Sequence, residues 1–134
     1  MYKSESSRLL LRSECEREAQ WMESYIPVKT RKETTKVCVS EILYIESELR
    51  VIIIYTAKRT YRFYRKLDEL IPYLNHDFYR IHKSCVINLG RIERMEGGVI
   101  FFTDALTVQV GQNNYRLARS RYLKYLEQNA GSDS

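Results

Sequence analysis

The chain of 134 residues carries 22 Lys and Arg against 17 Asp and Glu, a formal net charge of +5, with eleven Tyr beside only five Gly and two Pro. A chain of this length can bury the core of one domain without disulfides or metals, and it is too aromatic and hydrophobic for a disordered polymer. The basic excess suits a polyanionic partner without demanding one, and no apolar stretch approaches the ~20 residues of a membrane span, so membrane insertion is not expected.

In the first 26 residues Leu11, Cys15, Ala19, Met22 and Ile26 recur at helical spacing, with Arg12, Glu14, Glu16, Arg17 and Glu18 filling the other faces. This pattern predicts an amphipathic helical extension over 1–26 that needs a surface to pack on: the rest of the chain, a domain to which it links, or a second copy. Leu9-Leu10-Leu11, followed at once by Arg12 and Glu14, is too short for a secretory leader. Cys38 and Cys85 sit inside apolar runs and Cys15 has no C-x-x-C partner, so the cysteines read as small buried thiols. A cytoplasmic location is expected.

From Pro27 to Val110 the pattern is strand-like. Val37 and Val39, then Ile42, Tyr44 and Glu46, then Arg50 to Thr56, then Tyr61 and Phe63 form β-branched and aromatic runs. Polar connections fall at Thr30 to Thr35, Ser47-Glu48 and Ala57-Lys58-Arg59. Further strands are expected at Phe78 to Ile81, Cys85 to Leu89, Val99 to Phe102 and Leu106 to Val110, with turns at Glu96-Gly97-Gly98 and Thr103-Asp104-Ala105. Leu67, Leu70, Ile71 and Leu74 have the spacing of a helix laid over a sheet, which Pro72 should kink or shorten. Tyr115, Ala118, Tyr122, Tyr125 and Leu126 mark a C-terminal helix of roughly 12 to 15 residues, with Asn113 or Asn114 as its N-cap. Residues 129–134 read as a polar tail.

The segment from Phe78 to Asn88 is the most informative about chemistry. It sets Arg80, His82, Lys83 and Ser84 in a short connection between apolar strands. All four can donate to phosphate oxygens, and Lys83 can also reach guanine acceptors in a major groove. Arg80 and His82 equally suit a local role, satisfying backbone groups. His82, Ser84 and Cys85 do not make a nucleophilic site, since neighbouring strand residues face opposite ways and no glycine-rich elbow accompanies them. Two histidines without clustered carboxylates or cysteines support no metal, and no phosphate-cradling glycine motif is present. The expectation is a binding domain, with no enzymatic activity and no cofactor. Basic clusters at Lys29-Thr30-Arg31-Lys32 with Thr34 and Thr35, at Lys58-Arg59 with Arg62, and at Arg65-Lys66 are each ordinary as solvated faces. On successive loops at one edge of a β scaffold they can neutralise several phosphates together.

Two elements carry a family resemblance. Glu41-Ile42-Leu43-Tyr44-Ile45-Glu46, and then Phe78-Tyr79-Arg80-Ile81-His82-Lys83-Ser84 with Val86-Ile87-Asn88, stand in this order with a hairpin and the Leu67 to Leu74 helix between them. The chain resembles the LytTR family of bacterial DNA-binding domains from about Pro27 to Gln128. The resemblance implies a mainly β (α+β) fold of several small, mostly antiparallel sheets, with a short central helix and a C-terminal helix, and here an N-terminal helical extension. It also implies a transcription regulator whose loops enter successive major grooves at promoter direct repeats, often as the output domain of a two-component response regulator. Carried over by position, Lys29, Arg31, Lys32 and Thr34, then Arg80, His82, Lys83 and Ser84, then Gln112, Asn113 and Asn114 face DNA. Lys83 and one of Gln112 or Asn113 read bases in that scheme, while Arg80, His82 and Ser84 hold phosphates or brace the loop. The family commonly has Ser-Arg entering the last helix where this chain has Gly111-Gln112-Asn113-Asn114, and Gln or Asn pairs with adenine where Arg prefers guanine. Glu46 would repel phosphate, so a bracing role suits it better. The expected partners are duplex DNA, a second copy on the repeats, and a receiver domain or regulator met through the N-terminal helix. The competing readings are an RNA-binding module using a basic, Tyr-rich surface and a protein-interaction domain.

Overall fold

The computed structural model describes residues 24–130. In chain order it runs β1 (Tyr25–Lys29), β2 (Thr34–Cys38), β3 (Ile42–Glu48), β4 (Val51–Thr56), β5 (Thr60–Tyr64), α1 (Leu67–Leu70), β6 (Phe78–His82), β7 (Cys85–Asn88), β8 (Ile92–Glu96), β9 (Val99–Phe102), β10 (Thr107–Gln109) and α2 (Gln112–Ala130). The strands form a β1-β2 hairpin, a five-stranded sheet in the order β5-β4-β3-β7-β6 and a three-stranded sheet in the order β10-β9-β8, all antiparallel. The expected mainly β architecture of small antiparallel sheets is therefore what the chain adopts.

The five-stranded sheet is the middle layer, and covering both faces explains why β3, β4 and β7 are continuous apolar runs instead of alternating ones. On one face Ile45, Ile52, Ile54 and Val86 pack with Ile26, Val28 and Val37 of the β1-β2 hairpin and with Leu67 and Leu70 of α1. On the other, Leu43, Tyr44, Cys85 and Ile87 pack with Ile92, Ile100 and Phe102 of the three-stranded sheet and Ala118 of α2. Asn88 is polar and buried among them, and its amide bridges two backbone groups: Nδ2 donates to the Ile42 carbonyl at 2.8 Å and Oδ1 accepts from the Gly90 N–H at 3.0 Å. A Cβ on Gly90 would lie 2.9 Å from the Tyr125 hydroxyl, so a side chain there would push the tip of that α2 tyrosine aside.

Several elements differ from the sequence reading. Tyr25 and Ile26 belong to β1, so the helical stripe does not extend to Ile26; the remainder of the expected N-terminal helix, and the tail beyond residue 130, lie outside the described residues. Pro72 does shorten the central helix, which gives way after Leu70 to a 3-10 turn at Ile71–Tyr73. α2 is longer than expected, at 19 residues, because no Gly or Pro interrupts it before Ala130. It also starts earlier, with the Tyr115 N–H bonded to the Gly111 carbonyl at 2.7 Å, so Asn113 and Asn114 occupy its first turn and neither caps it. Cys85 is buried and free as expected, but Cys38 is disulfide-bonded. The apolar run around Cys38 suits a buried disulfide as well as a thiol, so cysteine chemistry no longer argues for a reducing compartment. No helix among the described residues is long and apolar enough to cross a membrane.

The second core gives the fold a pH dependence. The Tyr44 ring stacks on Tyr55, with centroids 4.3 Å apart, and on Phe102 at 5.3 Å. Burial first, then the neighbouring Tyr55 and Glu46, raises the Tyr44 phenol well above its usual range. Burial and then the Glu46 charge push the Cys85 thiol from 9.0 up to about 12. Above about pH 9 the unfolded chain sheds these protons while the folded chain keeps them, so this stabilisation is complete below the unfolded values and is lost as pH rises through the folded ones. The urea midpoint is expected to hold from about pH 7 to 8.5 and to fall steadily from about pH 9. A midpoint unchanged up to about pH 11 would contradict the burial of these groups.

Candidate nucleic-acid interface

The register of the middle sheet gathers its connections at one end. Glu48 closes β3 opposite Val51 of β4, Val51 pairs with Tyr64 at the end of β5, and His82 closes β6 opposite Cys85 of β7. These ends are fastened to each other: the Ser47 N–H donates to the Ser84 carbonyl at 2.9 Å, and the Arg65 N–H to the Arg50 carbonyl at 3.0 Å. The junction of β10 and α2 joins them, and Glu48, His82, Ser84, Gln109, Gly111 and Asn114 line a shared depression of about 420 Å³.

The β6-β7 connection is a two-residue turn, Lys83-Ser84, preceded by a bulge between Arg80 and His82, a device that re-aims side chains at the end of a ladder. The Arg80 guanidinium donates to the Lys83 carbonyl at 2.7 Å and pairs with Asp68 of α1, also at 2.7 Å. Of the two roles open to it, Arg80 therefore takes the bracing one. His82 Nδ1 accepts from the Ser84 N–H at 3.1 Å, an arrangement that puts the ring proton of the neutral imidazole on Nε2 and leaves an exposed donor. Lys83 is exposed at the tip of this braced turn, and its ammonium meets no partner among the described residues.

In the β1-β2 hairpin the Thr30 hydroxyl accepts from the Lys32 N–H at 3.3 Å and the Glu33 N–H at 3.2 Å, fixing the turn. Arg31, Lys32 and Thr34 project from it into solvent. Lys29 and Arg31 line a second depression, of about 670 Å³, with Val51, Arg62 and Tyr64, beside the sheet end just described. Glu33 is tied to Arg59 at 2.5 Å, and that guanidinium holds its carboxyl below the usual range. In the first turn of α2, Gln112 is exposed and Asn113 accepts from Arg116 at 2.9 Å, so Asn114 is the member that shares the depression with His82 and Ser84. The N–H groups that begin a helix attract anions, which suits a phosphate near Gln112.

Arg80 to Ser84 and the start of α2 thus border one end of the sheet, and Lys29 and Arg31 reach it from the β1-β2 hairpin, while Glu33 of the same hairpin reaches back to Arg59. Lys58 and Arg59 do not border it, because the β4-β5 turn lies at the opposite end, and Arg65 is engaged with Glu69 at 3.3 Å. The turn between β3 and β4 is a component that sequence reasoning missed: Leu49 and Arg50 stand exposed between the Lys83 turn and the β1-β2 hairpin. Glu46 accepts from the Tyr55 hydroxyl at 3.0 Å, bracing a ring and not a loop. With Glu48 it keeps the floor of the first depression acidic, so phosphates suit the basic rims and base edges suit the centre.

A family model, the LytTr DNA-binding domain, matches residues 32–123. Among solved structures the chain is similar to the LytTr DNA-binding domain of a methyl-accepting/DNA response regulator from Bacillus cereus, with a TM-score of 0.63 and 21% identity over 76% of this chain and 98% of that one. At that identity the likeness is one of fold. No curated protein matches the chain.

Proposed function

The chain belongs to the LytTR family of DNA-binding domains, and from that premise we propose that it regulates transcription by reading duplex DNA with the loop-bearing end of its middle sheet. The observation that supports this most is the one depression that the end of β3, the β6-β7 turn and the first turn of α2 line together, with Ser47 of β3 bonded to Ser84. Lys83 and Gln112 then meet base edges, and Lys29, Arg31, Lys32, Thr34, His82, Ser84 and the start of α2, with Asn113 and Asn114, meet the backbone or steady the groups that do. Arg80 acts through the Lys83 turn.

The site is a promoter direct repeat, with the loops in successive major grooves and one copy on each repeat. The DNA-binding unit spans 27–128, and the segment 1–26 links it to a receiver domain or other regulator of a bacterial two-component system in the cytoplasm. Competition between duplex DNA of random sequence and single-stranded RNA of equal length tests the polymer class. Duplex is expected to win, with log affinity falling linearly in log salt. Preference for the single strand would favour RNA binding through stacked tyrosines, and no affinity for either at low salt would favour a protein partner.

A further inference from the structure

Leu49 is 95% exposed at the tip of the β3-β4 turn. Its backbone sits at φ 59°, a left-handed conformation that leucine disfavours and that glycine or asparagine adopts readily. The turn is firmly held, since Ser47 on one side donates to Ser84 and Arg50 on the other accepts from Arg65. A tight turn alone calls for glycine, whereas a leucine kept against its backbone preference and out in water implies a use for its isobutyl group. Leu49 also occupies the end of the sheet that presents Lys83, with exposed Arg50 beside it.

We propose that Leu49 packs on the C5-methyl of a thymine in the major groove and so determines specificity for A·T at one position of the DNA site. The inference rests on the reading of this end of the sheet as the DNA-binding edge. Leucine has no donor or acceptor, so it can neither hold a phosphate nor read the polar code of a base edge. The thymine methyl is the apolar group that the major groove of unmodified DNA displays. Arg50, next in the chain, then reaches the phosphate flanking that base pair.

The test replaces each thymine of the selected site, one at a time, by deoxyuridine, which removes the methyl and nothing else, and measures the affinity of wild type and Leu49→Gly for each probe. Glycine adopts φ 59° without strain, so this variant keeps the fold. At one position deoxyuridine is expected to weaken wild type about fourfold, the worth of one buried methyl. Leu49→Gly is expected to bind the thymine and deoxyuridine probes equally there. If wild type and variant respond alike at every position, Leu49 reads no methyl and the inference is overturned while sequence-specific binding stands. If no sequence-specific site exists, the DNA-binding edge and this inference fail together.

Discussion

Asn88→Ala is expected to destabilise the domain by about 2 to 4 kcal/mol, the sum of two lost hydrogen bonds and of one buried carbonyl left unpaired. Asn88 is 4% exposed, and its amide satisfies the Ile42 carbonyl at the start of β3 and the Gly90 N–H in the turn after β7. Truncation strands the Ile42 carbonyl in the interior, where water does not reach it, and removes the partner of the part-buried Gly90 N–H. Asn88→Asp should fare no better near neutral pH, because it keeps the acceptor for Gly90 but turns a carboxylate toward the Ile42 carbonyl. Urea titration gives the number, and the melting temperature should fall by roughly 10 °C. A loss below about 0.5 kcal/mol would mean that the bridge is replaced on truncation. Asn88 lies at the end of β7 remote from Lys83, so the folded fraction should keep its sequence preference.

Lys83→Ala is expected to weaken specific DNA binding by about 1 to 3 kcal/mol and to relax discrimination at one base pair. The structure gives the reason for so local an effect: the Arg80 bridge between Asp68 and the Lys83 carbonyl holds the turn independently of the lysine side chain, so truncation removes an ammonium and leaves the loop in place. Arg31→Ala, on the exposed tip of the β1-β2 hairpin, should instead weaken all sequences alike and reduce the salt slope by about one. Binding curves for the selected site and for random duplex, at stepped salt, separate the two. Equal losses on both duplexes for Lys83→Ala would remove its base-reading role.

The middle sheet was legible in the sequence because burial on both faces leaves uninterrupted apolar runs such as Val51 to Ile54 and Cys85 to Ile87. β8 was not, since only Ile92 and Met95 of its five residues are apolar and the bulge between Ile92 and Arg94 breaks the alternation. β1 was obscured at its start because Ile26 also continues the helical spacing of the preceding segment. For the candidate site, Arg80 to Ser84 stood out because four donors in a short connection between strands are rare. Their division of labour was not readable, since Arg80 finds Asp68 twelve residues away only when α1 folds beside β6. The β3-β4 turn escaped because leucine is not a turn residue. The polar pair Ser47-Glu48 looked like the connection, yet both residues are in β3 and Leu49 makes the turn.

The central claim is that this end of the sheet reads sequence, and selection from a random duplex pool at moderate salt, with sequencing of what is retained, tests it most directly. The expected result is a defined motif in two direct copies about one helical turn apart, weakened as a motif by Lys83→Ala. A retained pool without sequence preference would reduce the edge to a basic surface that holds phosphates, and no retention at all would contradict DNA reading by this domain.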